Sequence, residues 1–272
     1  MGFGRAVILG AVLLWAAREV RAGAPSYSVD SIVNTATQTA GFLSPNGLAT
    51  IYGSELAFGT NSVPAYSLTA GGLPMTLGGT SVVVGGFLAG LIYVSPTQIN
   101  FVVPYELAQG TVTLFVGRDA LAGPLIRIQL YAAAPAFFTW NGNYAIAAHL
   151  DGTIVGPANP ARPGETILLF VTGLGRVWPD LSSGQISSLP RVLYPNAQLQ
   201  VSLGGTPIPG PNILYAGTAP NYAGLYQINV RLPDPLPVSQ ALGVSAYGQS
   251  SPVPVILALQ LPVAAPPVQA PN

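Results

Sequence analysis

The sequence predicts an all-β protein built as two tandem immunoglobulin-like β-sandwiches, and three observations carry that prediction. Apolar and polar residues alternate with period two in short runs. Gly and Pro, 32 and 27 of 272 residues, interrupt those runs too often for a long helix to form. An ordered set of short motifs occurs twice along the chain.

The alternation is clearest in three runs. Ile99, Phe101 and Val103 share one face of Gln98–Val103. Ile126, Ile128 and Leu130 oppose Arg127 and Gln129. In Gln198–Leu203 the split between amide or hydroxyl and aliphatic side chains is complete. Further strands are expected at Leu48–Tyr52, Val82–Val84, Thr111–Val116, Ile167–Thr172, Tyr226–Leu232 and Val253–Leu261. Pro254 marks the last as an edge or irregular strand, because proline cannot donate to a ladder. Asn46-Gly47, Gly85-Gly86, Asp151-Gly152 and Gly204-Gly205 supply turn chemistry between the runs.

The repeat is diverged but ordered. Gln98-Ile99-Asn100-Phe101-Val102-Val103-Pro104 matches Gln227-Ile228-Asn229-Val230-Arg231-Leu232-Pro233. Val82–Gly86 matches Val201–Gly205, and Ile92-Tyr93 matches Leu214-Tyr215. Pro45–Leu56 can be laid over Pro163–Leu174, which puts Ser54 on Thr172. Each copy is near the hundred or so residues of an immunoglobulin-like sandwich. The expected organisation is a signal peptide over 1–22, one sandwich over 23–134, a second over 135–262 and a disordered tail over 263–272. Ala132-Ala133-Ala134-Pro135 is the boundary.

The leader reads from its composition. Arg5 precedes an unbroken apolar run of twelve residues, Ala6–Ala17, and Val20 and Ala22 suit cleavage after Ala22. Twelve residues fall short of the roughly twenty needed to span a bilayer, so no membrane insertion is expected after cleavage. The expected location is secreted or in the cell envelope.

Composition excludes several chemistries. The chain has no Cys, which removes disulfides, thiolate zinc sites and Cys nucleophiles. All nine basic residues are Arg, so lysine chemistry is absent. Net charge is zero and charged residues make up 7%, so there is no basic footprint for nucleic acid. His149, the single histidine, lies in a hairpin-like stretch with an Asp151-Gly152 turn and no Gly-x-Ser-x-Gly elbow, which reads as structural. Asp30, Glu55, Glu106, Asp119, Asp151, Glu165, Asp180 and Asp234 are scattered singly, without the local pairing of a glycosidase dyad or a calcium loop. The Gln98/Asn100 and Gln227/Asn229 amides are expected to satisfy neighbouring loop backbone. No catalytic, cofactor or metal residue is assigned. A binding surface would rest on Trp140 and Trp178, in turn-rich segments where aromatic rings can stack on sugars or contact proteins.

Gly78–Val82, Tyr93–Tyr105, Leu225–Val230, Asn159–Glu165 and Thr172–Gly175 together resemble the Solibacter-type uncharacterised C-terminal domain family, over roughly residues 30–260. The resemblance implies an Acidobacteria-type exported domain that commonly follows β-propeller-like repeats, with no assigned activity. Each half is also similar to the IPT/TIG (E-set) class of immunoglobulin-like domains. The function expected is that of a non-catalytic exported module for structure, adhesion or protein contact, with an unknown protein or glycan partner. The alternative is a carbohydrate-binding module; an export or sorting domain and an unconventional hydrolase rank lower.

Overall fold

The computed structural model describes residues 23–63 and 71–261. The signal peptide expected over 1–22 and the tail expected over 263–272 lie outside the described residues. Among the described residues, the regular structure is strand, interspersed only with three-residue 3-10 turns.

The first half contributes β1 (Ile32–Asn34), β2 (Leu48–Tyr52), β3 (Asn61–Ser62), β4 (Thr80–Val84), β5 (Phe87–Leu88), β6 (Gly90–Val94), β7 (Gln98–Val102), β8 (Gly110–Arg118), β9 (Leu121–Ala122) and β10 (Ile126–Leu130). The second contributes β11 (Ala136–Phe137), β12 (Thr139–Trp140), β13 (Tyr144–Ala145), β14 (Ala147–His149), β15 (Thr166–Thr172), β16 (Val177–Trp178) and β17 (Val192–Leu193). It continues through β18 (Gln200–Leu203), β19 (Thr206–Pro207), β20 (Ile213–Thr218), β21 (Tyr226–Arg231), β22 (Ala241–Ala246), β23 (Gln249–Ser250) and β24 (Val255–Ile256).

These strands form two double-layered sandwiches. In the first, the sheet β1-β2-β7-β6-β3 faces β10-β8-β4-β5. In the second, β11-β15-β21-β20-β17-β16 faces β12-β13-β24-β22-β18-β19. The plan repeats strand for strand: β2-β7-β6 corresponds to β15-β21-β20, and β10-β8-β4-β5 to β24-β22-β18-β19. Asn100 pairs with Thr50 as Asn229 pairs with Leu168, and Gln98 with Tyr52 as Gln227 with Phe170. A β-bulge recurs as well. Register slips between Leu91 and Tyr93 in β6 and between Ile213 and Tyr215 in β20, so Ile92 and Leu214 are the extra residues.

Period two sends one side of each strand inward. Val82 and Val84 of β4, Ile167, Leu169 and Val171 of β15, and Tyr226, Ile228 and Val230 of β21 are fully buried. Each aliphatic side chain taken from water contributes about 1.5–3 kcal/mol, which is what a chain without disulfides relies on. The strands that the alternation does not reveal have local reasons. The bulge breaks the pattern in β6 and β20, and β22 carries Gly243 among small residues. The run expected over Val253–Leu261 forms a strand only at Val255–Ile256, after which Leu257, Ala258 and Leu259 pack into the core and Leu259 makes an isolated parallel bridge to Ala161. Gln198, expected in a strand, adopts φ of 47° and closes a turn.

The sandwiches meet at a buried polar joint. The Leu48 N–H donates to Thr172 Oγ1 at 2.9 Å, and that hydroxyl donates to the Gly224 carbonyl at 2.8 Å. Asn46 Nδ2 donates to the Tyr226 hydroxyl at 3.0 Å, and Tyr226 in turn donates to the Gly175 carbonyl. Burial pushes the Tyr226 phenol well above its ordinary range, although the Asn46 bond works the other way. Apolar contact adds Leu73, Val102 and Ile186, with Leu48, Ile92 and Ala223 against them. Tyr105 leaves the first half and sits in the core of the second.

Glycine is required at one point of this joint. Gly173 has φ of +73°, and a Cβ there would lie 2.2 Å from the Ala134 carbonyl oxygen. The aligned residue in the first half, Glu55, is also left-handed, at φ of 56°. There the space is open to a side chain, and Glu55 uses it to pair with buried Arg118 at 2.9 Å.

Thr172→Val keeps the shape but strips the hydroxyl from a fully buried position, leaving the Leu48 N–H and the Gly224 carbonyl unpaired. The expected loss is about 2 kcal/mol in urea-induced unfolding. A loss within about 0.5 kcal/mol, the scale of an ordinary surface change, would show that the joint does not hold the halves.

Candidate functional site

Trp178 and Trp140 do not share a surface. Trp140 belongs to the β12-β13 edge of one sheet and Trp178 to β16 at the edge of the other. Trp140 is 37% exposed, tilts against Tyr144 at 6.3 Å between ring centroids, and covers Gly156. A Cβ on Gly156 would lie 2.6 Å from the indole, so Trp140 is a cover over that turn. Trp178 is 60% exposed.

Trp178 is displayed by a turn that is bonded on every side. In β16 the alternation buries Val177 and turns Trp178 outward. The Tyr105 hydroxyl accepts from Val177 N–H at 3.1 Å and lies within donating distance of Val177 O, at 3.0 Å, and Asp180 Oδ1, at 2.8 Å. Arg191 donates to the carbonyls of Pro179 at 2.9 Å and Asp180 at 2.7 Å. Arg176 pairs with Asp180 at 3.1 Å and places its guanidinium over the Tyr105 ring at 4.8 Å. Tyr194 packs edge-on to Trp178 at 6.4 Å. The Ser183 amide and hydroxyl both donate to Glu106, fixing the chain just beyond.

The electrostatics follow from these bonds. The Tyr105 phenol is pushed up to about 12, chiefly by burial, which the Val177 amide partly offsets and Asp180 reinforces. Asp180 is held below the ordinary carboxylate range chiefly by the Tyr105 hydroxyl; burial opposes this, and the bond and charge of Arg176 add to the lowering. Glu106 is also held low: burial would raise it, but the Ser183 hydroxyl and amide outweigh that. The resulting surface combines an exposed indole, a phenol and an ion pair.

His149 is built differently. Its ring is buried, with Nδ1 2.5 Å from Glu165 Oε1 and Nε2 3.2 Å from the Asn159 carbonyl. Both nitrogens are occupied by acceptors, so neither is directed at a hydroxyl. The nearby Thr153 hydroxyl donates to Asp151 at 2.7 Å and accepts from Asn159 Nδ2. Three of the carboxylates that the sequence scatters meet a cationic or imidazole partner: Glu55 meets Arg118, Glu165 meets His149 and Asp180 meets Arg176. The Gln-Ile-Asn amides differ from expectation too. Gln98 donates to Asn100 at 2.8 Å and Gln227 to Asn229 at 2.7 Å, so the two amides of each copy bond along the strand instead of to loop backbone, and Asn100 also accepts from the Thr50 hydroxyl at 3.1 Å.

Tyr105, Arg191 and Tyr194 are absent from the sequence-derived candidates, and Asp180 enters them only as one of the scattered carboxylates. One signal bears on them. Tyr105 follows Pro104 where the second copy has Asp234 after Pro233, so the residue that crosses between halves is one at which the two copies differ in chemistry.

No family model matches the chain, and no curated protein matches it. Among solved structures, the chain is similar to the Bacteroides ovatus mixed-linkage glucan utilization locus SGBP-B in complex with a mixed-linkage heptasaccharide. The identity is 12% and the TM-score 0.28, covering 79% of this chain and 38% of that one. It is also similar to the plexin A4 full extracellular region, at 12% identity and a TM-score of 0.25, covering 86% of this chain and 16% of that one. The chain thus spans 38% or less of the length of either.

Tyr105→Phe is expected to leave the buried Val177 N–H without a partner and cost about 1–2 kcal/mol in chemical unfolding. In the same variant the Asp180 carboxyl, having lost its hydroxyl donor, should titrate at higher pH than in the wild type, as read by side-chain carboxyl NMR. An unchanged Asp180 midpoint would break the link between the two halves of the site.

Proposed function

We propose that the chain is a non-catalytic module, exported to the cell envelope or beyond, whose Trp178 surface is its contact site for a protein partner. The observation that carries this reading is an indole 60% exposed on a turn held by Tyr105, Arg191 and Asp180. A large aromatic fixed in the open loses little side-chain freedom on association, which is the economy of an interface anchor. The Arg5-led apolar segment and the resemblance to the Solibacter-type and IPT/TIG domains support an exported setting. The engagement of both His149 nitrogens supports a role without bond making or breaking.

A second reading has its own support. Trp178 and Tyr194 beside the Arg176–Asp180 pair offer a stacking face next to hydrogen-bonding groups, which suits a sugar ring.

Affinity-tagged protein is expected to retain from envelope extract a partner that Trp178→Ala loses and Trp140→Ala keeps. Equal retention by Trp178→Ala removes Trp178 from the contact. Glycan-array binding by the wild type that vanishes in Trp178→Ala transfers the assignment to the carbohydrate reading.

A further inference from the structure

We propose that His149 is a pH-dependent latch: as an imidazolium it ties the β14 hairpin to the 156–165 loop and, through that loop, to the C-terminal segment. This device stands apart from the Trp178 surface. The geometry requires two N–H donors, since Glu165 Oε1 faces Nδ1 at 2.5 Å and the Asn159 carbonyl faces Nε2 at 3.2 Å. A neutral imidazole has only one N–H, so one of its nitrogens would present a lone pair to an acceptor.

Neither acceptor can turn away freely. Arg162 N–H donates to the second Glu165 oxygen at 2.8 Å. Gly156 and Asn159 exchange backbone bonds at 3.0 and 2.9 Å, which fixes the carbonyl that meets the ring. The same loop pins the end of the described chain: Ala161 N–H donates to Ala258 O, and Gln260 N–H donates to Ala161 O. The latch therefore holds more than its own hairpin.

The charged groups around the ring are Glu165 and Asp151, with Arg162 in the same recess. On the neighbouring β21 Arg231 lies opposite Thr166, and Asp234 sits beside Gly164. Burial disfavours the imidazolium; the bonds to Glu165 and Asn159 and the charges of Glu165 and Asp151 outweigh it and hold the ring above the ordinary 6.5. A group raised on folding stabilises fully below its unfolded value and loses that contribution as pH climbs through the folded one. The latch is closed on the acid side and opens toward alkaline pH.

His149 is the sole histidine of the chain, so its ring gives one set of nitrogen resonances. NMR of the full chain without its leader is expected to show both ring N–H groups at neutral pH. The titration midpoint should lie above 6.5 and move down in Glu165→Gln. In thermal unfolding the wild-type Tm should fall by roughly 2–4 °C between about pH 6 and about pH 9, a fall that His149→Gln flattens. A midpoint at or below 6.5, or an equally steep fall in His149→Gln, would overturn the latch. If His149→Gln does not fold, the Glu165→Gln titration decides alone: an unmoved midpoint refutes the proposal.

Discussion

The structure turns on a requirement of buried backbone: an amide or carbonyl removed from water must find a partner. Where the sandwiches meet, the Leu48 amide and the Gly224 carbonyl are bridged by one hydroxyl, that of Thr172. Leaving either group unpaired costs about as much as burying a core methyl group or two gains, so the joint cannot be a loose collision of surfaces. Asn46 and Tyr226 meet the same requirement a short way along. Apolar contact between Val102, Leu73 and Ile186 then has a fixed geometry in which to pack.

Much of the architecture was legible because period-two alternation and turn chemistry are local. The strands around Gln98–Val102, Ile126–Leu130, Ile167–Thr172 and Tyr226–Arg231 form where the pattern places them. The correspondence of copies extends to pairing register and to the bulges at Ile92 and Leu214, neither of which a motif match encodes directly. Strands with broken alternation escaped, as β6 and β20 did, because an inserted residue switches faces midway. The candidate site was half legible. Trp178 could be named from residue type, but its exposure depends on the alternation that buries Val177, and the bracing of its turn depends on Tyr105, which bonds Val177 from 72 positions away in sequence. Trp140, equal to it in type, became a cover over Gly156 because the backbone beneath it happens to lack a side chain.

Divergence between the copies separates scaffold from specialisation. The Gln-Asn amide pair is kept and self-bonded in both, so it belongs to the scaffold. Its strand neighbours change from Thr50 and Tyr52 to Leu168 and Phe170, turning a polar outer face into an apolar one. There Phe170 joins Phe138, Ile146 and Leu225. The left-handed turn is likewise common to both, yet Glu55 spends it on Arg118 while Gly173 yields the room to the Ala134 carbonyl. One backbone plan thus supports two chemistries without altering its hydrogen-bond ladder.

Tyr105 is encoded with one half and folded into the other. The two copies have consequently ceased to be interchangeable parts. Excising the second would leave it without the ring that fills its interior and braces its most prominent aromatic; excising the first would strip Leu48 and Val102 of their cover. The pair, and not the single copy, is the smallest piece that could be moved intact into another protein.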